Sequence, residues 1–287
     1  MKARWCSVIM SLALASIPQL AAQESPRFSA RATAVRVDVL VTDNGRRVDG
    51  LTAADFEIRD NGVMQKVELA SGEQTPVNVI IALDVSESVT GVRLKDLQGA
   101  SRTILNTLKA GDRAGLVTFS HAITVHQSLT ADTRRIADAL ETLKPAGLTS
   151  LTDGTYVAML AAEPDALARN LVLVFSDGAD TASWLTSERV VESARRSDVT
   201  VYAVAVRGAE RDFLRDVTAV TGGTVFEIGS TRDLSATFSQ VFEEFRRRYV
   251  LSYSPTGVTR GGWHKLQVRV KGRRADVRAR QTYYGGP

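Results

Sequence analysis

The chain has a single cysteine, Cys6, and it lies within the first apolar stretch of the sequence. One thiol excludes an internal disulfide and a cysteine-ligated zinc. Histidine is nearly as scarce: His121, His126 and His264 are spaced without forming a cluster, and the first two are expected to flank a hairpin in solvent. Aromatic residues make up only 6% of the chain, and no aromatic-rich motif accompanies the basic runs Arg246-Arg247-Arg248 and Arg273-Arg274. Those runs therefore read as solvated faces and not as a nucleic-acid interface. There is no GxSxG elbow, no phosphate loop ending in GK[ST] and no HExxH pair. The apolar stretch Val8 to Ile17 is too short for a membrane span, so no stable membrane insertion is expected.

What is present is enough hydrophobic sequence, 44%, for a sizeable core. Residues 1–22 read as an export leader: Lys2 and Arg4 precede the apolar stretch, and Leu20-Ala21-Ala22 supplies a small-residue cleavage site. The expected location is accordingly periplasmic or secreted. Without Lys2 and Arg4 the remaining chain carries 34 basic and 32 acidic residues, a balance that argues against binding driven by charge alone.

Three patterns follow. From Ala34 to Ser71, Val35, Val37, Val39 and Val41 alternate with polar residues, and Asn44-Gly45 and Asn61-Gly62 mark tight turns between short strands. From Val77 to Arg247, apolar runs at Val77–Leu83, Ala114–Phe119, Leu171–Phe175, Val199–Val206 and Thr224–Ile228 are separated by helical periodicity. Leu94, Leu97, Ser101, Ile104 and Leu108 form one such face, closed by Gly111; Ile136, Leu140 and Leu143 form another, stopped by Pro145. Apolar runs between helices predict a doubly wound α/β domain with a mostly parallel sheet. Ile123 to Gln127 follows Phe119 too closely for a crossover helix and is expected to return as an antiparallel edge strand. After Tyr249 the β pattern resumes. The expected organisation is a leader at 1–22, an N-terminal β segment at 23–75, the α/β domain at 76–247, and a C-terminal β segment at 248–287 packed with residues 30–71 as a small β unit. Within that unit Leu51, Phe56 and Ile58 read as core.

The chemistry sits in "LDVSES", where Asp84, Ser86 and Ser88 follow a buried run at alternate positions. Asp177 follows another such run in "LVLVFSDG", and "GLTSLTDG" brings Thr149 into a third loop. Ligands of open parallel sheets bind beyond the carboxyl ends of strands. Two carboxylates there repel each other, and a cation relieves that repulsion. The donors are all hard oxygens, which suit Mg²⁺, Mn²⁺ or Ca²⁺ better than zinc or copper. Each piece also has a plainer reading: Asp84, Ser86 and Ser88 as helix caps, Thr149 and Asp153 as turn and cap residues, Asp177 as a strand-ending turn, Trp184 as packing over its loop.

In their order and context these residues resemble the metal-ion-dependent adhesion site of von Willebrand factor type A domains, Asp-x-Ser-x-Ser followed by a Thr and then an Asp. The wider chain is similar to the secreted VWFA-related proteins of the type catalogued in Acidobacteria, through "VTD", "GLT", "DFE" and "DNG" between Val41 and Gly62, and through Tyr249, Leu251, Tyr253 and Pro255. Glu87 and Val89 stand where that family often has Gly and Met, and Leu148 stands where it has a Gly before the Thr. The resemblance implies that Ser86, Ser88 and Thr149 give hydroxyl oxygens directly, and that Asp84 and Asp177 act directly or through water. It implies a partner protein presenting an Asp or Glu carboxylate to the ion, and no catalytic activity. Glu87, Asp153, Asp180 and Trp184 are expected at the rim. The helix from Asp233 to Arg247 corresponds to the one that moves in members with a switch. Two other classes stay open: a structural or assembly module with a vestigial metal site, and a metal-dependent hydrolase built on Asp84 and Asp177.

Overall fold

The computed structural model describes residues 34–70, 75–162, 168–207 and 211–285. The expected leader, with Cys6, lies outside the described residues.

The chain begins with five strands: β1 (Val35–Asp43), β2 (Arg46–Arg47), β3 (Phe56–Asp60), β4 (Val63–Gln65) and β5 (Glu68–Ala70). Both Asn-Gly pairs turn with positive φ at each residue, Asn44 at 49° with Gly45 at 75° and Asn61 at 47° with Gly62 at 84°. This is the paired left-handed geometry that lets a two-residue turn match strand twist.

The middle of the chain alternates strands and helices. It runs β6 (Val77–Asp84), α1 (Val92–Thr107), β7 (Arg113–Phe119), β8 (Ile123–Thr130), α2 (Thr133–Glu141), α3 (Leu151–Ala161) and β9 (Arg169–Ser176). It continues with α4 (Ser187–Arg196), β10 (Val199–Val206), α5 (Asp212–Thr221), β11 (Val225–Ile228) and α6 (Leu234–Arg246). Among the described residues these strands form one sheet in the order β11-β10-β9-β6-β7-β8, parallel except for β8, which runs antiparallel to β7. The doubly wound α/β class expected from the pattern is what the structure has. Every residue of β6 and β9 is buried because each face of the sheet carries helices. On one face Val79, Ile81 and Leu83 pack with Leu97 and Ile104 of α1, Ile136 and Leu140 of α2, and Phe238, Phe242 and Phe245 of α6. On the other, Ile80, Ala82 and Val174 pack with Ala158 and Met159 of α3, Val190 of α4 and Phe213 and Leu214 of α5. The chain moves outward from β6 through β7 and β8, then returns to β9 on the other side of β6. The reversal places a cleft at the carboxyl ends of β6 and β9, the general ligand position of such sheets.

The last strands are β12 (Tyr249–Tyr253), β13 (Trp263–Val270), β14 (Asp276–Arg278) and β15 (Thr282–Tyr284). They pair with the first ones in two antiparallel sheets, β14-β1-β12-β5 with β2 beside β1, and β15-β13-β3-β4. One core joins both sheets through Val37, Val39, Val41, Phe56, Ile58, Leu251, Tyr253 and Leu266; Leu51 packs at its margin. Within it Asp60 is fully buried. Its carboxylate accepts from Tyr253 Oη at 2.9 Å and Tyr283 Oη at 2.7 Å, and contacts His264 Nδ1 at 2.7 Å. Burial, together with this negative carboxylate, pushes both phenols above their ordinary range, so they stay protonated donors. The His264 ring is buried with them, and among the described residues its Nε2 has no hydrogen-bond partner.

Arg246 and Arg248 are buried, so that run is not the solvated face expected from sequence, and a third buried arginine ties the outer strands to the α/β layer. Arg169, at the start of β9, pairs with Asp38 of β1 at 2.5 Å and donates to the Phe245 and Arg246 carbonyls at the end of α6. The Phe245 carbonyl also accepts from the Arg248 N–H at 3.2 Å; the guanidinium completes the bonding of these last-turn carbonyls and meets the negative end of the helix.

Candidate functional site

Asp84 is the last residue of β6, opposite Phe119 of β7, and its neighbour Leu83 stands opposite Phe175 of β9. That register sets Ser176 beside Asp84, and its hydroxyl donates to Asp84 Oδ2 at 2.8 Å. Asp84 Oδ1 accepts from the Ser86 backbone N–H at 2.9 Å, which bends the loop so that the next hydroxyls turn inward. Ser86 Oγ and Ser88 Oγ lie 3.1 Å apart, and Ser88 Oγ donates to Asp177 Oδ1 at 2.7 Å. The structure thus brings Asp84, Ser86, Ser88 and Asp177, residues separated by up to 93 positions in sequence, to one point at the carboxyl edge of the sheet. Burial pushes the Asp84 carboxyl above the ordinary range; hydrogen bonds from Ser86 and Ser176 oppose the rise, and the negative Asp177 adds to it. A cation nearby would relieve both unfavourable causes.

The helix-cap alternative for this loop does not hold. Helix α1 begins at Val92, its N-cap position is Gly91, and no side chain caps it. Asp84, Ser86 and Ser88 bond within their own loop and across to Asp177.

Thr149 arrives from the loop before α3. Its carbonyl accepts from the Thr181 and Ala182 N–H groups at 2.9 and 3.0 Å, and its own N–H donates to Thr181 Oγ1 at 3.1 Å. Among the described residues no group hydrogen-bonds the Thr149 hydroxyl, and a Cβ added to Gly178 would stand 3.7 Å from it. Helix α3 approaches β7 closely at Gly154, where a methyl group would fall inside the Phe119 ring. The glycine therefore fixes how near the Thr149 loop comes to the sheet.

Asp153 is not a cap. Its carboxylate accepts from the backbone of Trp184 at 2.8 Å and of Leu185 at 2.9 Å. Asp180 accepts from the Thr152 N–H at 2.8 Å and the Ser183 N–H at 3.1 Å, and Asp153 N donates to Ser183 Oγ at 3.1 Å. Burial pushes the Asp180 carboxyl up, but the hydrogen bonds from Thr152 and Ser183 outweigh it and hold the group below its ordinary value. This network ties the segment after Asp177 to the start of α3. It presents Trp184 to solvent with 95% of its surface exposed, so the packing alternative for that residue fails. Leu148 and Glu87 are also exposed, and the Glu87 N–H donates to the Gly147 carbonyl at 3.1 Å, which joins their two loops.

Two site residues were missed from sequence. Ser176 lies inside the quoted "FSDG", but only the register of β6 against β9 reveals its role. Arg93, in the first turn of α1, donates through Nη1 to Asp177 Oδ2 at 2.9 Å and to the Ser88 carbonyl at 3.3 Å. The histidines need one correction. His121 is exposed, as expected, and packs under Gly147. His126 is half-buried, with Nε2 2.9 Å from Thr118 Oγ1, and burial lowers its pKa. It lies at an irregularity of the pairing, between Val125 opposite Val117 and Gln127 opposite Leu116, and β8 runs on to Thr130, a longer edge strand than the expected Ile123 to Gln127.

Among the described residues no three of His, Cys, Asp or Glu come together as a metal cluster. The donors at the cleft are instead two carboxylates with serine and threonine hydroxyls. Such a set fits a hard divalent cation, and a positive group, the Arg93 guanidinium, already rests on one of its carboxylates.

The model of the von Willebrand factor type A domain family matches residues 78–240. The chain is 24% identical over 214 residues to inter-alpha-trypsin inhibitor heavy chain H2 of Mus musculus, covering 66% of this chain and 22% of that protein. It is 22% identical over 268 residues to the Homo sapiens protein of the same name, covering 83% and 28%. The chain thus spans about a quarter of the length of these curated relatives. Among solved structures it is similar to a von Willebrand factor type A protein from Catenulispora acidiphila, with TM-score 0.55, 14% identity, and coverage of 90% of this chain and 74% of that one. It is also similar to proximal thread matrix protein 1 of the mussel byssus, in a form described as having a zinc-occupied MIDAS motif, with TM-score 0.55, 18% identity, and coverage of 71% and 50%.

Proposed function

The chain belongs to the von Willebrand factor type A domain family, generally a family of interaction modules without catalytic activity, and from this we propose that it is an exported protein-binding module that uses a divalent cation to capture an acidic side chain of a partner. The observation that carries the reading is the hydroxyl chain from Ser86 through Ser88 to Asp177, set beside Asp84 at the carboxyl edge of β6 and β9. Ser86, Ser88 and Thr149 would hold the ion through hydroxyl oxygens, with Asp84 and Asp177 directly or through water. Bound there, a divalent ion supplies a positive centre whose charge neutral hydroxyls leave incompletely balanced, and that centre attracts a carboxylate. The protein's own part is to hold the donors in place, through Ser176 on Asp84 and the loop before α3. Trp184 and Leu148 add exposed apolar surface beside the cleft, the kind of anchor that raises the affinity of a small contact.

The oxygen donors favour Mg²⁺, Mn²⁺ or Ca²⁺. The mussel protein's zinc-occupied motif makes Zn²⁺ a necessary fourth ion in any comparison. Export rests on the leader read in residues 1–22; among the described residues no helix is long and apolar enough to cross a membrane.

The test is thermal unfolding in EDTA and then in excess of each ion, beside Asp84→Ala and Asp177→Ala. An ion at one hundred times its dissociation constant stabilises the native state by about 2.7 kcal/mol. The wild type is expected to gain stability with at least one ion and both variants to lose that gain. If the wild type is indifferent to all four ions, the reading fails and a structural module takes its place.

A further inference from the structure

Arg93 sits where helix physics does not favour it. It is in the first turn of α1 with Lys95 nearby, no acidic residue shares that turn, and no side chain caps the helix. The N-terminus of a helix carries partial positive charge, so a cation there is mildly unfavourable unless an anion lies against it. The anion is Asp177. Its side chain is 1% exposed while that of Arg93 is 53% exposed, so a buried carboxylate is met by an arm reaching in from solvent. The two carboxylate oxygens have different claimants: Oδ1 accepts the Ser88 hydroxyl at 2.7 Å and Oδ2 accepts Arg93 Nη1 at 2.9 Å. The same Nη1 touches the Ser88 carbonyl at 3.3 Å, which centres the guanidinium on the loop that supplies the hydroxyls. Glu87 of that loop is exposed and has no hydrogen bond or ion pair to the guanidinium.

We propose that Arg93 is a tethered counter-cation that competes with a divalent ion for the Asp177 carboxylate and so sets how tightly the cleft binds that ion. The proposal rests on the cation-binding reading above. Without an ion, Arg93 neutralises Asp177 and eases its repulsion with Asp84. An ion entering among the hydroxyls meets a second positive charge on the same carboxylate, and the exposed arm yields by moving to the rim. The arm thereby weakens the ion's binding while holding the ion-free form together.

Isothermal titration calorimetry with MgCl₂ and MnCl₂, and unfolding in EDTA, should be carried out on the wild type, Arg93→Gln, Arg93→Lys and Asp84→Asn. A unit charge a few ångströms from a divalent ion in a partly solvated site changes its affinity by roughly tenfold or more. Arg93→Gln is expected to bind the ion about tenfold more tightly than the wild type and to melt at a lower temperature in EDTA. Arg93→Lys keeps the charge and should stay within about threefold of the wild type. The gap between wild type and Arg93→Gln should narrow in high salt, because Arg93 is solvent-exposed. If wild type and Arg93→Gln bind equally while Asp84→Asn does not bind, Arg93 is no competitor and only this proposal falls. If Arg93→Gln binds more weakly, Arg93 supports the ion and the proposal is reversed. If no protein in the series binds either ion, both readings fall.

Discussion

Removing the Tyr283 hydroxyl tests how the outer sheets are locked. Tyr283→Phe keeps the ring, which stacks on His264 at a centroid distance of 4.5 Å, and deletes only the donor lying 2.7 Å from Asp60 Oδ2. The acceptor is a fully buried carboxylate, and a hydrogen bond to a charged group contributes about 1.5–3 kcal/mol. A cost of about 2 kcal/mol corresponds to a fall in Tm of roughly 4–8 °C for a chain of this size. Asp60→Ala is more severe, since it removes the acceptor shared by Tyr253 Oη, Tyr283 Oη and His264 Nδ1 and leaves Tyr283 Oη and His264 Nδ1, 3.0 Å apart, to each other; a loss of about 3–5 kcal/mol is expected. The two changes are coupled. On the Asp60→Ala background Tyr283→Phe removes only the contact of Tyr283 Oη with His264 Nδ1, so its cost should fall to about 1 kcal/mol or less. Urea unfolding followed by near-ultraviolet circular dichroism measures all four proteins. If Tyr283→Phe lies within 0.5 kcal/mol of the wild type, or costs the same with and without Asp60, the lock as described is wrong.

Two further outcomes follow from the site's supports. Gly154→Ala improves helix propensity by about 1 kcal/mol yet drives a methyl group into Phe119; a net destabilisation of about 1–3 kcal/mol is expected in urea, and a more stable variant would contradict the packing described. Asp153→Ala frees the Trp184 and Leu185 amides, so their hydrogen exchange should accelerate at least tenfold, whereas Trp184→Ala should leave unfolding within about 0.5 kcal/mol of the wild type because the indole is in solvent; unchanged exchange, or a large stability loss, would refute the loop geometry.

The α/β class was legible because burial on both faces leaves continuous apolar strands such as Val77–Leu83, while helices keep a single face such as Leu97, Ser101 and Ile104. The ends of the parallel strands were placed within about two residues, and the end of the edge strand β8 three residues short. In the cleft, the oxygen side chains were legible from their position after apolar runs, since strand direction alone brings carboxyl ends together. What sequence did not reveal depends on register and on long-range approach. Ser176 acquires its role by standing beside Asp84, Arg93 by reaching a residue 84 positions away, and the partnership of Asp60 with His264 spans 204 positions. None of these leaves a periodic trace. The cap readings of Asp84 and Asp153 show the complementary limit: a side chain that suits a helix start locally is recruited by a loop arriving from elsewhere.

The pairing of β1 with β12 bears on the order of folding. Val39 stands opposite Tyr249, so closing that contact brings together residues about 210 positions apart, and the entropic cost of such closure precedes any gain from pairing. The α/β layer, with contacts between strands and helices adjacent in the chain, is expected to fold first and so shorten that loop, after which Arg169 at its edge meets Asp38. A growing chain consequently carries Val35–Val39 of β1 without their β12 partner until the Tyr249–Tyr253 segment has been made, while only the far end of β1 has its β2 partner. During that interval β1 is the segment most exposed to pairing with another molecule, so conditions that slow the middle of the chain should show themselves as aggregation through β1 before they disturb the cleft.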